Sequence, residues 1–261
     1  MTRRVVSAFI GIPVLLAAIW LGEPWYSLLI ATIAVWAAWE FYRMAGTPQP
    51  LTIFGILWTL LFIINASSSS PGTTQLLITA MVVLPLIGLI LRSPTGNAWT
   101  HWASTMAGIL YTGWMLSHLI WLRAFPDGRD WVILTVFSTF AADTAAFFVG
   151  RAWGKRLLAP SISPGKTCEG AIAGFLSAVI AAILLALVLG LSASYLQVLI
   201  IGSLVGVFAQ FGDLGESMLK RGAGVKDAGK LIPGHGGILD RLDSVVFSAV
   251  VVYYYLVWIV L

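Results

Sequence analysis

Apolar residues run along this chain in long blocks separated by short polar clusters. Neither strict alternation nor a narrow amphipathic stripe dominates. Blocks of membrane-crossing character lie near Val5–Leu21, Trp25–Trp39, Leu51–Asn65, Thr74–Leu91, Ala103–Leu122, Trp131–Val149, Ala171–Leu189, Leu196–Phe211 and Ser244–Leu261. A helix needs about 20 residues to cross the hydrocarbon core. The expectation is therefore an all-α, polytopic integral membrane protein with about nine transmembrane helices. The second and third blocks are short, and the eighth carries Gly202 and Gly206. Breakers mark the connections: Gly22-Glu23-Pro24, Gly46 to Pro50, Ser67 to Gly72, Pro94 to Gly96 and Pro126 to Gly128. Trp and Tyr gather near block ends, among them Trp25, Tyr26, Trp39, Tyr42, Trp99, Trp102, Trp121 and Trp131, as interfacial residues do.

Composition supports the pattern. The 261 residues are 59% apolar and only 10% charged, whereas soluble domains carry about 25% charged residues. No internal repeat or soluble domain stands out. One membrane domain is expected, with N-terminal helices over 1–130 and C-terminal helices bearing catalytic loops over 131–261. The first block is longer than a signal-peptide core, so it reads as an uncleaved span. Cys168, the single cysteine, excludes an intrachain disulfide framework and reads as a small filler residue.

Charge sets the orientation. With the N-terminus inside, thirteen cations face inward: Arg3, Arg4, Arg43, Arg92, Arg151, Lys155, Arg156, Lys166, Lys220, Arg221, Lys226, Lys230 and Arg241. Only Arg123 and Arg129 face outward. By the positive-inside rule the N-terminus and the charged loops are cytoplasmic.

Those charges are concentrated. From Asp213 to Asp243 stand ten of the chain's 26 charged side chains (15 Lys and Arg, 11 Asp and Glu). Glycines interleave them at 222, 224, 229, 234, 236 and 237. Cations suit phosphates, carboxylates suit a divalent metal, and glycines let the backbone come close to a ligand. The stretch reads as a polyphosphate-and-metal site against a membrane. Asp213, Glu216 and Ser217 share a face if their stretch is helical. Asp240 and Asp243 flank Arg241 at i and i+3 before the last block, either as two metal ligands or as dipole-favoured acids capping a helix. Asp143, inside FSTFAADTAAFFVG, is costly in apolar surroundings unless it faces a polar interior.

A second inner-face loop, Gly150 to Gly170, carries Arg151, Lys155, Arg156, Lys166 and Glu169. Gly165-Lys166-Thr167 is not a P-loop, because Pro160 stands where that motif needs glycine. The positive-inside rule accounts for Arg151, Lys155 and Arg156, leaving Lys166 as the better phosphate ligand. His235, held among glycines, suits a phosphate or a structural role better than Mg²⁺, which prefers oxygen. His101 and His118 read as interfacial or packing residues.

At these residues the chain resembles the phosphatidate cytidylyltransferase family, the CDP-diacylglycerol synthases. That family's signature is Ser, two residues, Lys-Arg, four residues, Lys-Asp, a Pro-x-His-Gly-Gly turn and Asp-Arg-x-Asp. It corresponds here to Ser217, Lys220-Arg221, Lys226-Asp227, Pro233, His235-Gly236-Gly237, Asp240-Arg241 and Asp243. The likeness continues upstream at Gly212-Asp213-Leu214, at Ser163-Pro164-x-Lys166-Thr167-x-Glu169-Gly170, and at Asp143 with Gly150-Arg151. It departs at Gly165, where a second Lys is common in the family.

The resemblance implies transfer of CMP from CTP to phosphatidic acid, giving CDP-diacylglycerol and pyrophosphate. It implies Mg²⁺ on Asp213, Asp240 and Asp243, with a second cation admitted. Asp143 would complete the polar site. Lys166, Ser217, Lys220, Arg221, Lys226, His235 and Arg241 would bind phosphates or substrate. The expected partners are CTP, phosphatidic acid and the bilayer, with a homodimer admitted and no nucleic acid. The expected location is the cytoplasmic membrane, with the site facing the cytoplasm. Two rivals are a CTP-dependent kinase for a polyprenol-type lipid and, from another class, a cation-coupled transporter. The kinase would need a base for its hydroxyl substrate. The transporter would need charges lining a path across the bilayer, and here they cluster on one face.

Overall fold

The computed structural model describes residues 2–68, 72–92, 96–229, 231 and 236–260, and for residues 2–10 and 50 the backbone alone. Ten α-helices follow one another: α1 (Thr2–Leu21), α2 (Trp25–Ala45), α3 (Gln49–Ser68), α4 (Thr73–Leu91), α5 (Ala98–Gly108), α6 (Met115–Arg123), α7 (Gly128–Trp153), α8 (Cys168–Leu189), α9 (Tyr195–Gly222) and α10 (Leu239–Tyr255). A π-helical turn, Ile109–Trp114, joins α5 to α6, and another, Leu256–Val260, continues α10. Between α7 and α8 two short strands, β1 (Leu157–Ala159) and β2 (Ser163–Thr167), pair antiparallel.

Among the described residues, seven helical stretches are long and apolar enough to cross a membrane: Trp25–Ala45, Leu51–Ser68, Thr73–Leu91, Gly128–Trp153, Cys168–Leu189, Tyr195–Gly222 and Leu239–Val260. The protein is an all-α, polytopic membrane protein. The other two expected segments are helical as well, but each falls short of that measure. The first is described with side chains only over the apolar stretch Gly11–Leu21. The fifth is divided by the Ile109–Trp114 turn, whose wider winding interrupts the i→i−4 ladder. Large apolar side chains such as Leu91, Phe148 and Val188 point outward, as lipid-facing residues do.

The helices gather into two compact units, one of residues 1–121 with 227–240 and one of residues 122–226 with 241–261. In the first, Phe62, Leu77, Met81, Met106 and Ile109 form an apolar core. Tyr42 is fully buried and donates its hydroxyl to Thr105 O at 3.0 Å. A Cβ on Gly55 or on Gly108 would strike its ring, so both glycines exist as space for the tyrosine.

The second unit is organised around α8. Its buried face is Gly170, Gly174, Ala178, Ala182 and Ala186, a small residue at every fourth position. Such stripes let helix backbones approach closely where no hydrophobic drive exists between lipid-exposed helices. A Cβ on Gly174 would sit 2.9 Å from Ala142 O of α7. On the α9 side, Gly202 and Gly206 lie against the Cα atoms of Val179 and Phe175. Ser177 donates to Ala141 O at 3.2 Å, and Gln210 donates to Ala171 O at 3.0 Å, cross-bracing the same three helices.

Candidate active site

The site is built where α7 ends and α8 begins. Gly154 terminates α7, returning its N–H to Gly150 O at 3.1 Å. The hairpin then turns the chain back, with Leu157 opposite Thr167 and Ala159 opposite Ser163. Its end is tied to the first turn of α8. Thr167 is the N-cap, its hydroxyl accepting from Gly170 N–H at 3.1 Å. Glu169 accepts from the N–H groups of Lys155 and Arg156 at 3.0 and 3.2 Å. The N–H of Cys168 donates to Arg156 O at 2.8 Å. What the sequence offered as a loop is thus a fixed scaffold, and Lys166 projects from its second strand.

Lys166 Nζ pairs with Asp213 Oδ2 at 2.7 Å. Both line a cavity of about 350 Å³ within the second unit, together with Asp143, Arg151, Thr167 and Gln210. Asp143 opens into this cavity, and its Oδ1 accepts from the Ser244 hydroxyl at 3.2 Å. The expectation that this carboxylate faces a polar interior accords with that placement. An apolar groove of about 330 Å³ shares Leu158, Ala171 and Gln210 with the cavity and continues along Phe175, Val207 and Phe211.

α9 extends past the predicted end of its apolar block to Gly222 and so carries Asp213, Glu216, Ser217, Lys220 and Arg221 on one continuous helix. Ser217 donates to Asp213 Oδ1 at 3.4 Å, the i, i+4 relationship that the spacing predicted. Glu216 is fully buried and paired with Lys220. Arg221 donates from Nε to Ile162 O at 3.4 Å and from Nη1 to Val225 O at 3.2 Å, clasping the hairpin loop. Lys226, in the turn beyond α9, is exposed. Asp243, buried in α10, accepts from Ser244 N–H at 2.8 Å. Asp213 and Asp243 both bear on Asp143 by charge repulsion, with Lys166 the compensating cation.

This set is oxygen-only, the donor chemistry of a hard divalent cation. Its three carboxylates are met by Lys166 and, on the cavity wall, by Arg151. Among the described residues, no three ligand-type side chains converge closely enough to hold an ion as they stand.

Asp240 belongs to the first unit. Its carboxylate accepts from Gly237 N–H at 2.7 Å and from Ala228 N–H at 3.1 Å, closing the segment that leads into α10. Gly236, at φ +85°, would place a Cβ 2.6 Å from Asp240 Oδ2. The glycine requirement there comes from the protein's own carboxylate. Arg241 follows in the first turn of α10. Lys230 and His235 lie outside the described residues.

One residue that the sequence reading passed over is Glu40. It stands at the end of an apolar block, three residues before Arg43 and among interfacial aromatics, and so has the look of an ordinary membrane-boundary charge. It is nevertheless fully buried and touches the 227–240 segment.

A phosphatidate cytidylyltransferase of Synechocystis sp. is 31% identical over 290 residues, spanning 98% of this chain and 96% of the relative. One of Bacillus subtilis is 30% identical over 262 residues, spanning 98% and 97%. A third, of Pseudomonas aeruginosa, is 31% identical over 262 residues, spanning 98% and 96%. The Cytidylyltransferase family matches residues 2–259, and over that whole length the chain belongs to it.

Proposed function

We propose that this protein transfers CMP from CTP to phosphatidic acid, giving CDP-diacylglycerol and pyrophosphate. The observation that carries the reading is the shared wall between a charged cavity and an apolar groove. One suits a triphosphate, the other the acyl chains of a lipid substrate. The names and full-length coverage of the relatives support the same reaction.

In the reaction a phosphate oxygen of phosphatidate attacks the α-phosphorus of CTP. The α–β bridging P–O bond breaks, and pyrophosphate leaves with its electron pair. The attacking oxygen is already ionised near neutral pH, so positioning and charge neutralisation carry the catalysis, with no strong base required. Lys166, Lys220, Arg221 and Lys226 neutralise phosphate charge, with Ser217, His235 and Arg241 as further substrate contacts from the signature. Asp213, Asp243 and Asp143 would offer carboxylate oxygens to Mg²⁺, with Asp240 a further ligand candidate from its signature position. When bound, the ion would screen the charge that develops on the departing pyrophosphate.

Nine spans are proposed, with the N-terminus and the catalytic face in the cytoplasm. The thirteen-to-two division of cations supports this orientation. The cytoplasmic membrane is the corresponding location, where CTP is available.

Purified protein incubated with phosphatidate, Mg²⁺ and CTP labelled in either the α- or the γ-phosphate tests the reaction. α-Label entering the lipid fraction is the expected result. γ-Label entering it instead would replace the proposal with a CTP-dependent lipid kinase.

A further inference from the structure

Glu40 lies near the C-terminal end of α2 with no solvent-accessible surface. A carboxylate withdrawn from water in an apolar helix is costly unless backbone or side-chain donors compensate it. Its compensation comes from far along the chain. The Leu239 N–H donates to Glu40 Oε2 at 2.9 Å, across a separation of 199 residues, and the Ile238 N–H also bears on the carboxylate. Leu239 is the first residue of α10, so the bond occupies one of the amide donors that a helix start leaves without an intrahelical partner. A negative charge there is also favoured by the helix dipole.

A second observation is independent of the hydrogen bond. Gly229 and Gly237 both press against the Glu40 carboxylate. A Cβ on Gly237 would lie 2.6 Å from its Cδ, and one on Gly229 would strike Oε1. Two glycines of the charged stretch are therefore shaped around this side chain. The same segment is closed from within by Asp240, which accepts from Ala228 and Gly237. Two acids thus meet at Gly237, and only Asp240 belongs to the signature.

We infer that Glu40 is a positioning residue for the reaction. Its buried carboxylate clasps the 227–240 segment at Gly229, Gly237 and Leu239 and fixes where α10 begins. The start of α10 sets the place of Asp240, the second residue of that helix. The inference rests on the reading of Asp240 as catalytic.

The test combines labelled-CTP kinetics with backbone hydrogen exchange on wild type, Glu40→Ala, Glu40→Gln and Gly237→Ala in one detergent. In Glu40→Ala, exchange across 227–240 is expected to accelerate while α7 and α8 keep wild-type protection. Its kcat should fall about 10- to 100-fold, the scale of a misplaced catalytic group, with KM for CTP changing far less. Glu40→Gln keeps the side-chain length and one acceptor oxygen and should recover protection and kcat together. Gly237→Ala keeps the carboxylate but crowds it, and should reproduce the kcat loss. Wild-type exchange and turnover in Glu40→Ala would overturn the inference. So would faster exchange with unchanged kcat, which makes Glu40 a structural clasp only, or loss of protection through the whole molecule. If wild type makes no labelled lipid, the proposed reaction fails, and the exchange arm alone supports or overturns the clasp.

Discussion

Lys166 Nζ stands 2.7 Å from Asp213 Oδ2, tying the second strand of the hairpin to the middle of α9. Both side chains are partly accessible, so the pair is worth little as a stabilising bridge. Its value is local: a lysine and an aspartate are held face to face on the wall of a cavity. Lys166→Ala and Asp213→Asn are each expected to depress CMP transfer strongly. The double variant should lose much less than the sum, with a coupling of about 0.5–3 kcal/mol. Additive losses measured as kcat/KM in the cycle would mean that the two residues act separately.

Asn is nearly isosteric with Asp but lacks the charge that draws a cation. Asp213→Asn, Asp243→Asn and Asp143→Asn should insert and fold, yet lose about 10²–10³ in rate, the scale of a missing electrostatic contact. Asp240→Asn should also lose thermal stability, because the Ala228 N–H approaches both carboxylate oxygens, at 3.3 and 3.1 Å, and an NH₂ group would replace one of those acceptors. Titrating Mg²⁺ against each variant identifies the residues that bear on the ion by a raised metal requirement. Unchanged rates in all four would transfer the chemistry to other residues.

Gly206 faces the backbone of Phe175, and a Cβ would lie 2.9 Å from its Cα. Neither helix axis can yield without disturbing Gln210, whose amide reaches Ala171 O one turn away. Gly206→Ala is expected to destabilise the detergent-solubilised protein by about 1–3 kcal/mol, as overpacking does. A lowered unfolding midpoint by tryptophan fluorescence checks it. Gly222→Ala, where a Cβ would meet nothing within 4 Å, is the control expected to change little.

The proposed nine spans and cytoplasmic N-terminus would put the C-terminus outside. A reporter fused after Leu261 should be active only in the external compartment. A cytoplasmic signal would mean that one segment, α1 or the divided 98–123 stretch, does not cross.

The elements were legible wherever hydrophobicity alone decides. α2, α4, α7 and α8 fall on predicted blocks, because an apolar run bounded by Gly and Pro leaves few alternatives. The hairpin was not legible. Ser163 to Thr167 has little strand character, and it pairs because Glu169 and Thr167 fasten both of its ends to one helix start. The polar run on α9 was readable from spacing, since Glu216 and Ser217 stand three and four residues after Asp213. The π turn that divides α5 from α6 has no comparable mark. It lies beside His118, which bonds Trp114 O at 3.0 Å and packs between the rings of Trp114 and Trp121, a packing role that its isolation in the sequence did suggest. Glu40 escaped because burial is a property of the whole chain. Nothing near residue 40 announces that residues 229, 237 and 239 will close over it.

That closure has a consequence for synthesis. Ribosomes add about 5–20 residues per second, and 199 residues separate Glu40 from the amide that donates to it. For tens of seconds the second helix of a nascent chain holds a carboxylate whose partner has not yet been made. Every chain arrested before Leu239 stays in that state, with Glu40 lacking the amide that caps it. Such a defect distinguishes an incomplete product from a finished one, so truncated forms should be cleared from the membrane while the full-length protein persists.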